Sequence, residues 1–306
     1  VRARLLHPDP ARAVGRVQPW LMPHAGKGQP IATNRPDEWA TGELDLAAYL
    51  RRIGYGGDLA PTVQTLTGLH RAHVSAIPFE NADIMLGRGV RTDLPSIADK
   101  LVHRGRGGYC FEHGQLLAAA LVQLGYPVDR LLGRVGGPHD TRSHLVLRVR
   151  VDGQDWLADT GFGTGLIEPV PPDGGTPHDQ YGWTYRLRAD GAHYWQLQER
   201  QGDGWATLYQ FDDQPQYPAD VLVANHFTST YPESAFVRQL VVVRKDPDGL
   251  RRLTGRRLSI TRPGQQAGER YLDEPGFAAA LTGIFGLRLS TAESTRLTAV
   301  TGTQES

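Results

Sequence analysis

The stretch Arg104-Gly-Arg-Gly-Gly-Tyr-Cys-Phe-Glu-His-Gly114 contains the single cysteine of this 306-residue chain and stands directly before an apolar run. Its glycines break a preceding helix, and the residues that follow predict a new helix from about Cys110 to Leu124, ended by Gly125. Cys110 then lies in the first turn, where unpaired amides and the positive end of the helix dipole stabilise a thiolate. The stretch therefore predicts either a nucleophilic cysteine or a small buried residue at a helix start.

Outward from this helix, the chain divides into three segments with different periodicity. Residues 44–126 show helical spacing, with apolar residues at i, i+3, i+4 and i+7 from Leu46 to Ile53. Residues 127–218 hold short alternating runs between Gly, Pro and Asp, a pattern typical of an antiparallel barrel or sandwich. Residues 219–306 mix helix and strand signals. This order predicts an α+β protein.

Residues 1–43 differ from the rest of the chain. They are rich in proline, carry an excess of two positive charges and lack a sustained apolar period. This composition predicts a flexible extension, and a regulatory arm or a start codon chosen too far upstream are the alternatives.

Composition excludes several classes of protein. The 33 Lys and Arg residues balance 33 Asp and Glu residues, whereas a nucleic-acid-binding protein needs a basic excess. One cysteine forms no internal disulfide and no paired-cysteine zinc site, and no metal site is predicted. The apolar run Leu116–Val122 is far shorter than the roughly 20 residues that span a bilayer, and no signal peptide opens the chain. We therefore expect a cytoplasmic protein that binds no membrane.

A nucleophilic cysteine needs a base and a group that orients the base. His144 opens the predicted strand 143–151, and Asp159 ends another strand fifteen residues later. Inward-pointing side chains on neighbouring strands would bring both towards Cys110, although simple hairpin counting does not place them directly opposite. His113 is interpreted instead as a helix-surface residue, and His70 and His73 as residues on the faces of a helix. Arg104 and Arg106 are expected to add positive charge beside the thiol.

The segment after Asp159 is rich in glycine, with Gly161, Gly163 and Gly165. Such a segment lets a ligand approach the backbone closely, or it forms a tight turn. It is not a dinucleotide-binding motif, because Leu166 stands where the third glycine belongs.

These motifs together resemble the arylamine N-acetyltransferase family over about residues 44–290. The resemblance is carried by six blocks in the family's order: Leu44–Tyr55, Ile77-Pro-Phe-Glu-Asn81, Arg106–Glu112, His144, Asp159-Thr-Gly-Phe-Gly163 and Asn225–Phe236.

The resemblance implies a helical first domain (44–126), a central antiparallel β-barrel (127–218) and an α/β lid (219–306), with a papain-like Cys110–His144–Asp159 triad. It implies acetyl-CoA as co-substrate, no permanently bound cofactor, and small aromatic amines or hydrazines as acceptors, as in xenobiotic metabolism. The family's aromatic cleft maps onto Phe79, Tyr109, Phe111, Phe162 and Phe227. The contacts to CoA map onto Thr160, Gly161, Gly163 and Thr164.

Two features depart from the family's pattern. Tyr231 follows Thr230 where the family commonly has histidine, which affects the expected choice of acyl donor. The extension 1–43 precedes the point at which the family usually begins.

Alternative functions remain open from the sequence. An amide synthase of the same fold would use the triad to close a carrier-bound aryl-amine polyketide into a macrolactam. A cysteine protease or transglutaminase would use a similar Cys–His–Asp set. A ligand-binding protein with an inert thiol is the non-enzymatic alternative.

Overall fold

The computed structural model describes residues 37–191 and 193–302. Helices and antiparallel sheets occupy separate stretches of the chain, so the predicted α+β class is confirmed. Residues 1–36, most of the predicted extension, lie outside the described residues.

The first part of the chain is helical, as its periodicity predicts. Local signals set the boundaries, because the side chains of Asp45, Thr62 and Asp93 each accept a hydrogen bond from an amide in the first turn of the next helix. Gly54 ends the first α-helix with a φ of 67°. The helices are Thr41–Glu43 (3₁₀), Leu46–Ile53, Val63–Ala76, Ala82–Met85, Leu94–Ala98, Asp99–His103 (π) and Cys110–Gln123.

The helix Cys110–Gln123 is the centre of this part, and we call it the cysteine helix. Every residue from Cys110 to Leu121 is buried, because the other helices pack against one side and the central sheet packs against the other. A helix enclosed on all sides is apolar all round, which explains the continuous run Leu116–Val122.

The central part is a seven-stranded antiparallel sheet that curls into a half-barrel. The central antiparallel β-barrel implied by the resemblance is confirmed as an antiparallel sheet with the curvature of a half-barrel. The outer strands of the sheet, Gln154–Ala158 and His178–Gln180, lie at opposite ends of its strand order, and the second of them is only three residues long. In spatial order the strands are Gln154–Ala158, Arg142–Val151, Val128–Val135, Gly204–Asp212, Tyr194–Gln201, Trp183–Asp190 and His178–Gln180.

The last part packs a five-stranded antiparallel sheet against helices. Its first strand, Phe79–Glu80, comes from the helical part and pairs with Val241–Asp246, so the two parts share one sheet. The strand Gly249–Thr254 was not predicted, because its polar and basic residues weaken the apolar alternation. The other strands are Arg257–Thr261 and Gly268–Tyr271, and the helices are Pro218–Thr230, Ala235–Arg238, Glu274–Gly283 and Thr291–Gly302.

The described chain is packed from its first residues, ahead of the predicted boundary at residue 44. Gln123 donates hydrogen bonds to the carbonyls of Thr41 and Leu44, at 2.7 and 2.8 Å. The guanidinium of Arg130 lies 4.0 Å from the centre of the Trp39 ring. Trp39 and Thr41 therefore contact both the cysteine helix and the central part of the chain. Within the described ranges, no helix is long and apolar enough to cross a membrane.

Candidate functional site

Cys110 is the first residue of the cysteine helix and is 3% exposed. The carboxylate of Glu112 accepts a hydrogen bond from the backbone amide of Tyr109 at 3.0 Å and so fixes the start of the helix. The Cys110 thiol lies 3.6 Å from the carbonyl oxygen of Ser143, which precedes His144. The nucleophile candidate thus lies at the positive end of a helix dipole, beside the strand that carries the base candidate.

His144 and Asp159 form a buried charge-assisted hydrogen bond. Nε2 of His144 lies 2.8 Å from Oδ2 of Asp159. The strand register pairs Leu147 with Ala158, so Asp159 lies diagonally across from His144 rather than opposite it. Hairpin counting also predicted that the two residues are not directly opposite, and their side chains are long enough to bridge the diagonal separation.

The electrostatics of the pair favour its charged form. Burial by itself lowers the pKa of His144, but the Asp159 carboxylate and the contact with Cys110 raise it to about 10. The His144 imidazolium in turn holds the pKa of the Asp159 carboxyl below its usual value despite burial. His144 is therefore protonated near neutral pH. The site unites a thiol, an imidazolium and an orienting carboxylate.

His70 holds both ends of the loop Asp159–Ile167, which we call the active-site loop. The backbone amide of Asp159 donates to Nε2 of His70 at 3.0 Å, and Nδ1 of His70 donates to the carbonyl of Ile167 at 2.9 Å. Burial lowers the pKa of His70, and only the neutral Nδ1–H tautomer satisfies both contacts. Sequence reasoning missed this role, because it depends on a contact across 89 residues.

The active-site loop approaches Cys110 too closely at Gly161, the first of its three glycines, for any side chain to fit there. A Cβ atom at Gly161 would lie 2.8 Å from Cα of Cys110 and 2.9 Å from its carbonyl oxygen. Next to it, the ring of Phe162 contacts His144 edge to face, with the ring centres 5.2 Å apart. The glycine thus has a packing reason in the tertiary structure, as well as any role in ligand binding.

His73 and His113 are buried, so the prediction that His113 is a helix-surface residue is wrong. The Tyr49 hydroxyl lies 2.8 Å from Nδ1 of His73, and Nε2 of His73 lies 2.9 Å from Nδ1 of His113. Nε2 of His113 contacts the carbonyl of Gly108 at 3.1 Å. Burial lowers the pKa of His113 to about 4 and that of His73 well below its usual value. These neutral histidines support the backbone just before Cys110.

Arg104 and Arg106 do not act as free positive charges beside Cys110, contrary to the expectation from the sequence. Arg104 pairs with Asp99 on the surface at 2.8 Å. Arg106 is 2% exposed and pairs with Glu80 at 2.9 Å. Its charge is neutralised within a buried ionic cluster, which we define as Glu80, Asp83, Lys100, Arg106 and Glu112.

A cavity of about 610 Å³ opens beside the three residues of the site, and both Cys110 and His144 line it. Of the aromatic residues expected to bind substrate, Phe79, Phe162 and Phe227 line this cavity. Tyr109 and Phe111 are not among its lining residues. Both are fully buried, and the Tyr109 hydroxyl donates instead to Asn225.

The residues expected to contact CoA are also divided. Gly161 and Thr164 line the cavity, whereas Thr160 and Gly163 do not. Gly163 has a φ of 78° and packs against Phe79. The buried hydroxyl of Thr160 has no hydrogen-bond partner among the described residues.

Other lining residues were not predicted. Phe236 lies within the block Asn225–Phe236 quoted from the sequence, but Val241 and Val243 carry no local signal that separates them from ordinary core residues. Tyr231 also lines the cavity, and its ring stacks on Phe227 with the centres 4.7 Å apart. The departure at Tyr231 therefore lies in the cavity wall.

Comparison with known proteins gives a consistent result. A family model described as N-acetyltransferase matches residues 62–294. The chain is 37% identical over 269 residues to an arylamine N-acetyltransferase of Mycobacterium tuberculosis, covering 81% of this chain and 90% of that protein. It is 38% identical over 213 residues to an arylamine N-acetyltransferase / N-hydroxyarylamine O-acetyltransferase of Salmonella typhimurium, covering 67% of this chain and 74% of that protein.

Solved structures agree with this similarity. The arylamine N-acetyltransferase of Mycobacterium abscessus superimposes with a TM-score of 0.83 at 36% identity, covering 88% of this chain and 99% of that one. The Mycobacterium marinum arylamine N-acetyltransferase in complex with CoA superimposes with a TM-score of 0.78 at 36% identity, covering 84% and 98% respectively.

Proposed function

The chain belongs to the arylamine N-acetyltransferase family and is an acyltransferase, and from this premise we propose that it acetylates arylamines or arylhydrazines through an acetyl-cysteine. Acetyl-CoA is the proposed donor and Cys110 the proposed nucleophile. The observation that carries the proposal is the hydrogen bond between His144 and Asp159 beside Cys110, at the wall of an aromatic cavity.

In the first half-reaction, the Cys110 thiolate attacks the thioester carbonyl of acetyl-CoA. The bond between the acetyl carbon and the sulfur of CoA breaks, and the departing thiolate takes the proton from His144. Because Nε2 of His144 is bonded to Asp159, Nδ1 is the nitrogen that gives up this proton. One thioester replaces another, so the step has a small thermodynamic cost. Backbone amides near Cys110 stabilise the oxyanion, each worth about 3 kcal/mol.

In the second half-reaction, the amine nitrogen attacks the acetyl carbon of the acetyl-cysteine. The carbon–sulfur bond to Cys110 breaks, and His144, now neutral, accepts the amine proton at Nδ1. The thiolate and the imidazolium are restored together. An aromatic amine is weakly basic and arrives unprotonated, and Phe79, Phe162 and Phe227 provide flat apolar contacts for its ring.

The proposed roles follow the three predicted domains, 44–126, 127–218 and 219–306. The helical domain carries Cys110, the central domain (127–218) carries His144 and Asp159, and the third (219–306) covers the cavity through Phe227 and Tyr231. Separate hydrophobic clusters in the central and last parts support this division.

Intact-mass spectrometry tests the proposal directly. Mixing the protein with acetyl-CoA should add one acetyl group, and an arylamine such as 4-aminobenzoate should remove it. Cys110→Ala should gain no mass while keeping the circular dichroism spectrum and melting temperature of the folded protein. Unchanged acetylation of Cys110→Ala would refute the nucleophile assignment. Labelling by an aryl-amine acyl carrier protein, with none by acetyl-CoA, would favour the amide synthase instead.

A further inference from the structure

Lys245 is a buried lysine that the proposed chemistry does not use. It lies on the strand Val241–Asp246, is 1% exposed, and has no carboxylate within ion-pair distance in the described part of the chain. Burial of an ammonium group without a carboxylate partner is strongly unfavourable. A hydrophobic residue would fill this space at lower cost, so the lysine needs an explanation.

The Nζ atom of Lys245 holds the active-site loop by its backbone. It donates hydrogen bonds to the carbonyls of Thr164 and Gly165, both at 2.7 Å, and to the hydroxyl of Tyr185. These three contacts use all three protons of an ammonium group. The nitrogen also lies 4.3 Å from the centre of the Trp183 ring, which favours a positive charge.

The strand that carries Lys245 also forms a wall of the cavity. Val241, Val243 and Lys245 alternate along one face, and both valines line the cavity. Val243 pairs with Phe79, against which Gly163 of the active-site loop packs. Lys245 is not itself a lining residue, but it follows the two lining valines on the same face of the strand and contacts the active-site loop there.

The clamped segment lies next to the reacting groups. Two residues before Thr164, Phe162 packs on the ring of His144, and Gly161 lies against the backbone of Cys110. Thr164 itself lines the cavity. A shift of the carbonyls held by Lys245 would move this whole segment relative to a bound thioester.

We propose that Lys245 is a positioning residue for the acyl-donor half-reaction, because it fixes the active-site loop at Thr164 and Gly165. The inference rests on the proposed function, since it assigns a consequence for acetylation of Cys110. It makes Lys245 the point at which the last part of the chain sets the geometry of the catalytic groups.

Burial lowers the pKa of Lys245 to about 7, and Glu199, which accepts a hydrogen bond from Tyr185, opposes this shift. The groups that face the amine are the hydroxyl of Tyr185, the Trp183 ring, the two loop carbonyls and, through Tyr185, Glu199. When Lys245 loses its proton, its two remaining N–H donors can still bond the two loop carbonyls, and the Tyr185 hydroxyl must donate to the amine instead of accepting from it. The hydrogen bonds between Lys245 and the active-site loop therefore rearrange close to neutral pH.

The test compares Lys245→Met and Lys245→Arg with Leu258→Ala. Leu258 is a buried residue of the same sheet, but it belongs to a different hydrophobic cluster from the cavity-lining Val243. Its truncation therefore lowers stability without touching the cavity and serves as the control. Single-turnover acetylation by acetyl-CoA is followed by intact mass, well below each melting temperature, and hydrogen exchange is followed in peptides covering residues 159–167.

Lys245→Met should acetylate at least tenfold more slowly at subsaturating acetyl-CoA, with faster hydrogen exchange in the active-site loop. Lys245→Arg should recover most of this loss and remove any inflection near pH 7 from the rate profile, because a guanidinium stays protonated. Leu258→Ala should keep the wild-type rate and loop exchange.

Wild-type acetylation by Lys245→Met would overturn the inference, and so would an equal loss of rate in Leu258→Ala. Hydrogen exchange distinguishes failure of the Lys245 inference from failure of the proposed acetyl transfer. If wild-type protein is not acetylated at all, the acetyl-transfer proposal fails, and the loop exchange of Lys245→Met still decides whether Lys245 holds the loop.

Discussion

Replacing His70 with leucine should show how far the orientation of Asp159 depends on its backbone. The substitution introduces an apolar side chain of similar size and removes the acceptor of the Asp159 amide and the donor to the Ile167 carbonyl. Each buried backbone group left without a partner costs about 1–3 kcal/mol, so the two groups together should lower the free energy of unfolding by about 2–6 kcal/mol.

The same substitution should lower activity by more than the stability loss explains. Both ends of the active-site loop are released, and a displacement of about 1 Å at a catalytic group can cost 100-fold in rate. We expect His70→Leu to reduce the rate of acetyl-cysteine formation by about 10- to 100-fold, under conditions where the variant is still folded. Urea titration measures the free energy of unfolding, and intact-mass spectrometry of samples quenched at successive times measures the rate of acetyl-cysteine formation.

Leu69→Ala is the matched control for this experiment. Leu69 is a fully buried neighbour on the same helix, and its truncation should cost a comparable ~2–5 kcal/mol through the cavity it leaves. It has no hydrogen bond to the active-site loop. If His70→Leu acetylates at the wild-type rate, or if Leu69→Ala loses as much activity, then His70 does not position Asp159 and the reasoning is refuted.

The remaining predictions concern the charged groups of the site and of the buried ionic cluster. Asp159→Asn removes the partner that raises the pKa of His144, so turnover should fall by about 10⁴-fold while the fold is retained; a fall below tenfold would contradict the assigned role. The pKa of His144 is raised from 6.5 to about 10, so its contribution to stability is complete below pH 6.5 and is lost as the pH rises through 10. Urea titrations of the wild type should therefore show a loss of unfolding free energy at alkaline pH. The same titrations of Asp159→Asn should show much less of this loss. His113 has the opposite sign, since its pKa is lowered to about 4, so the free energy of unfolding should fall as pH decreases from 6.5 to 4, as measured by urea titration over that range. Arg106→Met leaves the buried Glu80 carboxylate without its cationic partner and should lower the free energy of unfolding by about 3–5 kcal/mol. Arg104→Met, at an exposed ion pair, should change the free energy of unfolding by less than about 1 kcal/mol. Equal effects of the two substitutions would show that Arg106 does not form the buried ion pair.

Local sequence was sufficient for the elements on which the site is built. The glycines before Cys110 and the apolar run after it predicted the cysteine helix within one residue of its observed end. The short alternating runs of residues 127–218 predicted antiparallel strands, and the structure has an antiparallel sheet there. These features depend on neighbours a few residues away, which is why a single sequence contains them.

The long-range contacts could not be predicted from the sequence. The sequence offered three helix-face histidines with no sign that His70 holds Asp159 or that His113 supports Gly108. Arg106 looked like a charge available to Cys110, and only the folded chain shows Glu80 beside it. Lys245 gave no signal at all, since one lysine in a predicted strand is ordinary.

What the sequence by itself determined is the thiol at a helix start and the order of its helical, strand-rich and mixed segments, because propensity and capping act locally. Only the tertiary structure decided which groups surround that thiol, because side chains 30 or more residues apart in the sequence meet only when the sheets and helices pack together. Burial then set their charges: it keeps His70 neutral, while the contact with Asp159 keeps His144 protonated.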